Sequence, residues 1–176
     1  MQNCPADMAM TFEVANLEET MAFGRLLGQQ LFPGAVLGLS GPLGAGKTHF
    51  VRALAEGLEI PDSRVVSSPT FVLIQEYQAR LPIYHFDVYR LRSPTDFPDL
   101  GVHEYFQGQG VCVIEWAERV AEHLPEDRLD IYITVLGESR RRLTLKATGP
   151  RHAAQLAGLQ LLQADPSALN SALHQR

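Results

Sequence analysis

The chain has 176 residues, 45% of them hydrophobic, and a net charge of −5. That length and apolar content fit one domain with a substantial core. No apolar run reaches the roughly 18 residues of a membrane span, and the acidic balance excludes a broad electrostatic grip on nucleic acid.

The two cysteines, Cys4 and Cys112, cannot make a disulfide framework. Cys112 lies inside an apolar run and reads as a buried thiol, so a reducing cytoplasm is the expected compartment. The start of the chain carries acidic and polar residues and no basic n-region, unlike a secretory signal.

Residues 1–10 read as loose chain. Leu17, Met21, Leu27 and Leu31 recur at helical spacing, with Asn16 as N-cap and Pro33-Gly34 as the stop. Residues 35–40 read as a short buried strand. Gly41-Pro42-Leu43-Gly44-Ala45-Gly46-Lys47-Thr48 then matches the phosphate-binding loop G-x-x-x-x-G-K-[ST], and a helix runs on to Gly57. Strand, glycine loop and helix in this order are the setting the motif requires.

Val65-Val66 reads as a very short strand, and Ser67-Ser68-Pro69 as extended chain before a proline. Residues 70–77 and 83–89 read as a strand pair, broken by Leu81-Pro82. An irregular helix is expected over 95–107, a short apolar strand over 111–116, and a helix over 117–124. Residues 130–136 and 142–147 form a second hairpin around Gly137-Glu138-Ser139, with the Arg140-Arg141-Arg142 cluster at its turn. A helix over 152–163 carries Leu156, Leu159 and Leu162 on one side, and Pro166 opens a helical tail. This order predicts an α/β fold of the P-loop type: a parallel core sheet with added antiparallel strands, flanked by helices. It places the loop-bearing domain in residues 1–150 and a helical extension in 151–176.

The loop residues have physical tasks. Glycines let backbone N–H groups close on oxygen anions, and the helix aims its partly positive end at them. Lys47 would reach the β- and γ-phosphates, and the Thr48 hydroxyl would ligate Mg²⁺. Pro42 removes one N–H early in the loop.

A metal-bound phosphate also calls for an acid at the end of a neighbouring strand. Two positions qualify. Glu115 ends the apolar run 111–114, and Asp87 follows the alternating segment 83–86. The plainer alternatives are a solvated residue for Glu115 and an ion pair with Arg90 or Arg92 for Asp87. Ser68-Pro69-Thr70 sits where a segment sensing the γ-phosphate through a hydroxyl would sit, or is simply a proline-ordered turn. Trp116 would pack near the nucleotide or plug the core. His85 and His49 read as structural.

Taken in order, Leu43 to Thr48, Ser68-Pro69-Thr70, His85 to Arg90, Gly101 with Glu104-Tyr105-Phe106, and Glu115-Trp116 resemble the TsaE family. These are P-loop ATPases of tRNA threonylcarbamoyladenosine synthesis. The resemblance spans roughly residues 16–147. It implies ATP binding and hydrolysis with Mg²⁺ held by Thr48 and Glu115, support of hydrolysis by Asp87, and Trp116 beside the metal ligand. It extends a nucleotide role to Thr20 and Arg140. It also implies two partner proteins, TsaB and TsaD, with tRNA met only through that complex and no membrane. TsaD joins the threonylcarbamoyl group to an adenosine beside the anticodon, and the ATPase resets the complex between turnovers. Pro42 stands where an acid is common in the family, and the tail after Pro166 runs past its usual end.

Three other classes compete. A small-molecule kinase needs an arginine-bearing lid, for which no segment stands out. A GTP switch reads guanine with N-K-x-D, and the chain has no Asn-Lys pair. A nucleotide-binding scaffold would bind without hydrolysis.

Overall fold

A seven-stranded sheet with helices on it organises the chain, in a computed structural model that describes residues 8–164. The tail expected after Pro166 lies outside the described residues. The elements in chain order are β1 (Met8–Val14), α1 (Leu17–Gln29), β2 (Val36–Ser40), α2 (Lys47–Gly57), β3 (Ile74–Tyr77), β4 (Ile83–Asp87), α3 (Val102–Phe106), β5 (Val111–Glu115), β6 (Leu129–Val135), β7 (Arg141–Ala147) and α4 (Pro150–Ala164).

The strands lie in the order β1-β7-β6-β2-β5-β4-β3. Pairing is parallel from β6 through β2 and β5 to β4, and antiparallel for β1–β7, β7–β6 and β4–β3. The expected parallel centre with antiparallel additions is therefore the sheet observed.

Successive residues of β5 face opposite sides, and each side has its own core. Val111 and Val113 join Leu27, Phe50, Leu54 and Leu156 under α1, α2 and α4. Cys112 and Ile114 join Phe86, Phe97 and Val102 on the other side. Strands covered on both faces lose the polar alternation, which is why β2 and β5 read as continuous apolar runs. Burial pushes the Cys112 thiol up to about 12, so it stays protonated and inert. Helix α1 starts on Asn16, whose side-chain oxygen accepts from the Glu19 N–H at 2.9 Å. It braces α2 through Phe23 and Phe50, whose rings lie 6.2 Å apart.

Five expectations are corrected. Residues 8–10, expected loose, open an edge strand, β1, whose Met10 and Val14 are buried and whose Val14 pairs with Arg141. The strand expected over 70–77 begins only at Ile74, because Val72 and Leu73 turn back to donate to the Pro69 carbonyl at 3.1 and 2.7 Å. The helix expected over 95–107 is split into two 3₁₀ turns and α3, broken by Pro98 and by Gly101 at φ 74°. Residues 117–124 contain two 3₁₀ turns instead of a helix, and a further 3₁₀ turn at Ser63–Val65 stands where Val65-Val66 was expected as a very short strand.

The start of α4 is fixed by the pairing of buried His152 with half-buried Asp127. Asp127 accepts from the backbone N–H of Arg151 and of His152 at 3.2 and 3.3 Å, which caps the helix from a distance. His152 Nδ1 lies 2.7 Å from the same carboxylate, and its Nε2 accepts from the Val36 N–H at 3.3 Å. That second bond requires the neutral ring.

Burial pushes the His152 imidazole below the usual value of 6.5, against the pull of Asp127. Burial alone would raise the Asp127 carboxyl, but hydrogen bonds from His152 and Arg151 outweigh it and hold it below 3.8. Both shifts make the unfolded chain bind protons first, so acid favours unfolding. The stability given by the ring is complete above pH 6.5 and is lost as pH falls through the lowered value. Urea unfolding at pH 7.5 and 5.0 should show this loss, and His152→Phe should show less of it. Equal losses would contradict the assignment.

Candidate functional site

The glycine loop 41–46 leaves the carboxyl end of β2 and enters α2. Gly41 adopts φ 141°, and a Cβ there would meet the Ile133 carbonyl oxygen at 2.5 Å. Gly46 is left-handed at φ 105° and caps α2 without any side-chain acceptor. The first N–H groups of α2 therefore have no capping side chain and point outward with the positive end of the helix.

Lys47 opens α2 and is buried. Its ammonium donates to the carbonyls of Gly41 and Pro42 at 2.8 and 3.1 Å and stands 3.5 Å from the centre of the Trp116 ring system. Burial pushes it below the ordinary lysine range, while the carboxylates of Glu115, Glu118 and Asp87 oppose that shift. Thr48, one residue on, donates its hydroxyl to Glu115 at 2.9 Å.

Glu115 ends β5, opposite Leu39 of β2 and Asp87 of β4 in the ladders. It is 2% exposed, so the solvated alternative does not hold. Asp87 is also 2% exposed. Its carboxylate accepts from the hydroxyls of Ser68 and Thr70, the latter at 2.8 Å, and from the Tyr89 N–H at 2.9 Å. No ion pair to Arg90 or Arg92 forms among the described residues. Pro69 orders the turn that holds both hydroxyls against Asp87.

Trp116 turns the chain sharply with a left-handed backbone (φ 64°, ψ 36°), a conformation costing a non-glycine residue about 1–2 kcal/mol. The turn lays its indole on Lys47 and 4.8 Å from the Tyr89 ring. Arg119 holds this corner by donating to the carbonyls of Tyr89 and Leu91.

Two cavities meet over the head of α2 and share Gly44, Gly46 and His49. One, of about 410 Å³, is walled by Lys47, Thr48, Asp87, Glu115, Ser68 and Trp116. The other, of about 290 Å³, is walled by Leu17, Thr20, Ala45, Ser139 and Arg141. The sequence reading names Arg140 as the arginine at this place. The residue on the cavity is Arg141, whose Nε donates to the Ala45 carbonyl at 3.0 Å. Arg140 lies just before β7, which begins at Arg141, so the choice depends on where the strand starts. Leu43, Gly44 and Ala45 complete the loop, with Leu43 79% exposed at its tip.

The sequence takes His85, which bonds Glu115, as structural and Arg141 as part of a turn, and gives no role to Arg119. For His85 the available signal was its i, i+2 relation to Asp87, which puts both on one face of β4.

Fold and site together define an α/β protein whose glycine loop heads a helix beside two buried strand-end acids. The family model described as threonylcarbamoyl adenosine biosynthesis protein TsaE matches residues 14–143. The tRNA threonylcarbamoyladenosine biosynthesis protein TsaE of Bacillus subtilis is 47% identical over 144 residues, covering 81% of this chain and 89% of that protein. Its namesake from Treponema pallidum is 48% identical over 128 residues, 73% and 93% of the two chains. A crystal structure of B. subtilis YdiB superposes with a TM-score of 0.77 at 40% identity, covering 89% of this chain and 97% of that one. The chain belongs to the TsaE family. No helix among the described residues is long and apolar enough to cross a membrane.

Proposed function

We propose that this protein is a Mg²⁺-dependent ATPase of the P-loop class. In this reading it acts in the cytoplasm with TsaB and TsaD in the threonylcarbamoyladenosine modification of tRNA. The observation that carries the proposal is the meeting of the Thr48 hydroxyl and the Glu115 carboxylate, 2.9 Å apart, beside an uncapped helix head and a buried lysine. Family membership supports the pathway.

The donor set fits Mg²⁺. Both groups offer hard oxygen, and among the described residues no three His, Cys, Asp or Glu side chains gather into a cage. An ion held by one or two side chains and completed by phosphate oxygens and water has this pattern. When bound, Mg²⁺ neutralises charge building on the phosphates.

The protein's own groups do the rest. The N–H groups of loop 41–46 and the head of α2 bind the phosphates. The Lys47 ammonium exchanges two backbone carbonyls and an indole face for phosphate oxygens. Asp87 holds the Ser68 and Thr70 hydroxyls at the cavity wall, and its carboxylate orients the attacking water. The smaller cavity, with Thr20 and Arg141, takes the nucleoside end, since it opens on the other side of the same helix head.

No arginine lines the larger cavity among the described residues. A charge-stabilising arginine is worth about 10³–10⁵ in rate when a partner supplies it. The free protein is therefore slow, and the exposed Phe71 (82%) and Val72 beside Thr70 give a partner apolar surface at the mouth. Phosphate release measured alone and with TsaB–TsaD tests this. A rise of tenfold or more is expected. Equal rates would refute activation by the partners, and no release in either case would leave a nucleotide-binding scaffold.

A further inference from the structure

Beneath Glu115 lies a side chain that the reaction outlined above does not use. His85 stands opposite Val113 in the β4–β5 ladder, on the same face as Ile83 and Val111. All four residues are essentially inaccessible to solvent. Its Nε2 is 2.9 Å from Glu115 Oε1. A carboxylate oxygen here only accepts, so Nε2 is the donor of this bond. Nδ1 has no hydrogen-bond partner among the described residues.

A histidine in this place is a poor choice for packing. Its neighbours in the row are Ile83, Val111 and Val113, and a leucine would fill the space without stranding a ring nitrogen, which costs stability when buried. What the histidine obtains is a single bond, to one oxygen of one carboxylate. Glu115 Oε1 thus accepts from two sides, from His85 at the core and from Thr48 at the cavity. Thr48 Oγ1 is also 3.1 Å from Oε2. A glutamate has three side-chain torsions, and the bond from below removes the freedom of the last.

We propose that His85 is a positioning residue: its Nε2–H anchors the Glu115 carboxylate from the core side, so that Glu115 and Thr48 present a pre-set pair of ligands to a divalent cation. This rests on the reading of Thr48 and Glu115 as the cation ligands. Groups that orient a ligand in this way govern metal affinity by about 10–100-fold.

The test is Mn²⁺ binding with a non-hydrolysable ATP analogue, followed by electron paramagnetic resonance of the free ion. Binding of the same analogue in EDTA is the control. His85→Leu keeps the bulk and removes the donor. His85→Gln places an amide nitrogen where Nε2 was, and His85→Asn places one short of it. His85→Leu and His85→Asn should weaken Mn²⁺ binding about 10–100-fold, leave binding in EDTA within about twofold, and be rescued by His85→Gln. If His85→Leu fails to fold, the contrast of Gln with Asn gives the same answer.

Mn²⁺ affinity unchanged in His85→Leu, equal losses with and without metal, or Gln no better than Asn would each overturn the role. Glu115→Ala separates the two layers. If it leaves Mn²⁺ affinity unchanged, the ligand assignment falls and His85 with it. If it abolishes the affinity while His85→Leu leaves the affinity unchanged, only the positioning role falls.

Discussion

Replacing Glu115 by alanine is expected to abolish Mg²⁺-dependent ATP turnover in a protein that remains folded. The carboxylate accepts from Thr48 and His85, and its loss leaves one buried donor and one half-buried donor with one partner fewer. That costs about 1–3 kcal/mol per stranded group, within the margin of an ordinary domain. The effect on turnover is larger. Removing one pre-organised group that stabilises transition-state charge costs about 10²–10³ in rate, and here the cation would lose its only carboxylate. Glu115→Gln sharpens the test, since it keeps hydrogen bonds and removes only charge. Phosphate release in Mg²⁺, with a urea midpoint for each variant, measures both effects. Turnover unchanged in Glu115→Ala would remove this residue from the site.

Lys47→Met should separate function from stability in the opposite sense. The ammonium is buried, and desolvation pushes its pKa below the ordinary 10.5 even with three carboxylates nearby. A cation held against its solvation preference contributes little to folding. Methionine replaces the apolar stem as far as Cε, one atom short of Nζ, and carries no charge. The variant is therefore expected to unfold at the same urea concentration as the parent or at a higher one. ATP affinity and turnover should each fall by at least about a hundredfold, because the charge on the phosphates loses its fixed counterpart. Calorimetric titration of nucleotide beside urea unfolding checks the pair of outcomes. A marked loss of stability with affinity preserved would mean that Lys47 is a structural residue.

Much of this arrangement was legible in the residues. The glycine loop between a strand and a helix, the acid closing an apolar run, and the paired hydroxyls around Pro69 all lie within short windows. Local chemistry constrains such windows strongly. What stayed hidden depends on partners far along the chain. β1 has its inward alternation at Met8, Met10, Phe12 and Val14, but its strand character comes from pairing with β7, more than a hundred residues away. The segment 70–73 has strand-like composition, yet Phe71 and Val72 are exposed because the Pro69 carbonyl captures the chain into a turn. Arg140 and Arg141 cannot be ranked without the start of β7, and the bond from His85 to Glu115 exists only because β4 and β5 are neighbours.

The ladder that aligns Asp87 with Glu115 also dates the site within the life of the polypeptide. A ribosome that has made residues 1–110 has released the loop, Lys47 and Thr48, but not the carboxylate that faces them. Parallel pairing of β2 with β5 must wait for that later stretch, and contacts so distant in sequence are slow to close. The pair of groups proposed to hold a divalent ion is therefore completed only after most of the chain has been made, in the same step that seats β5 beside β2.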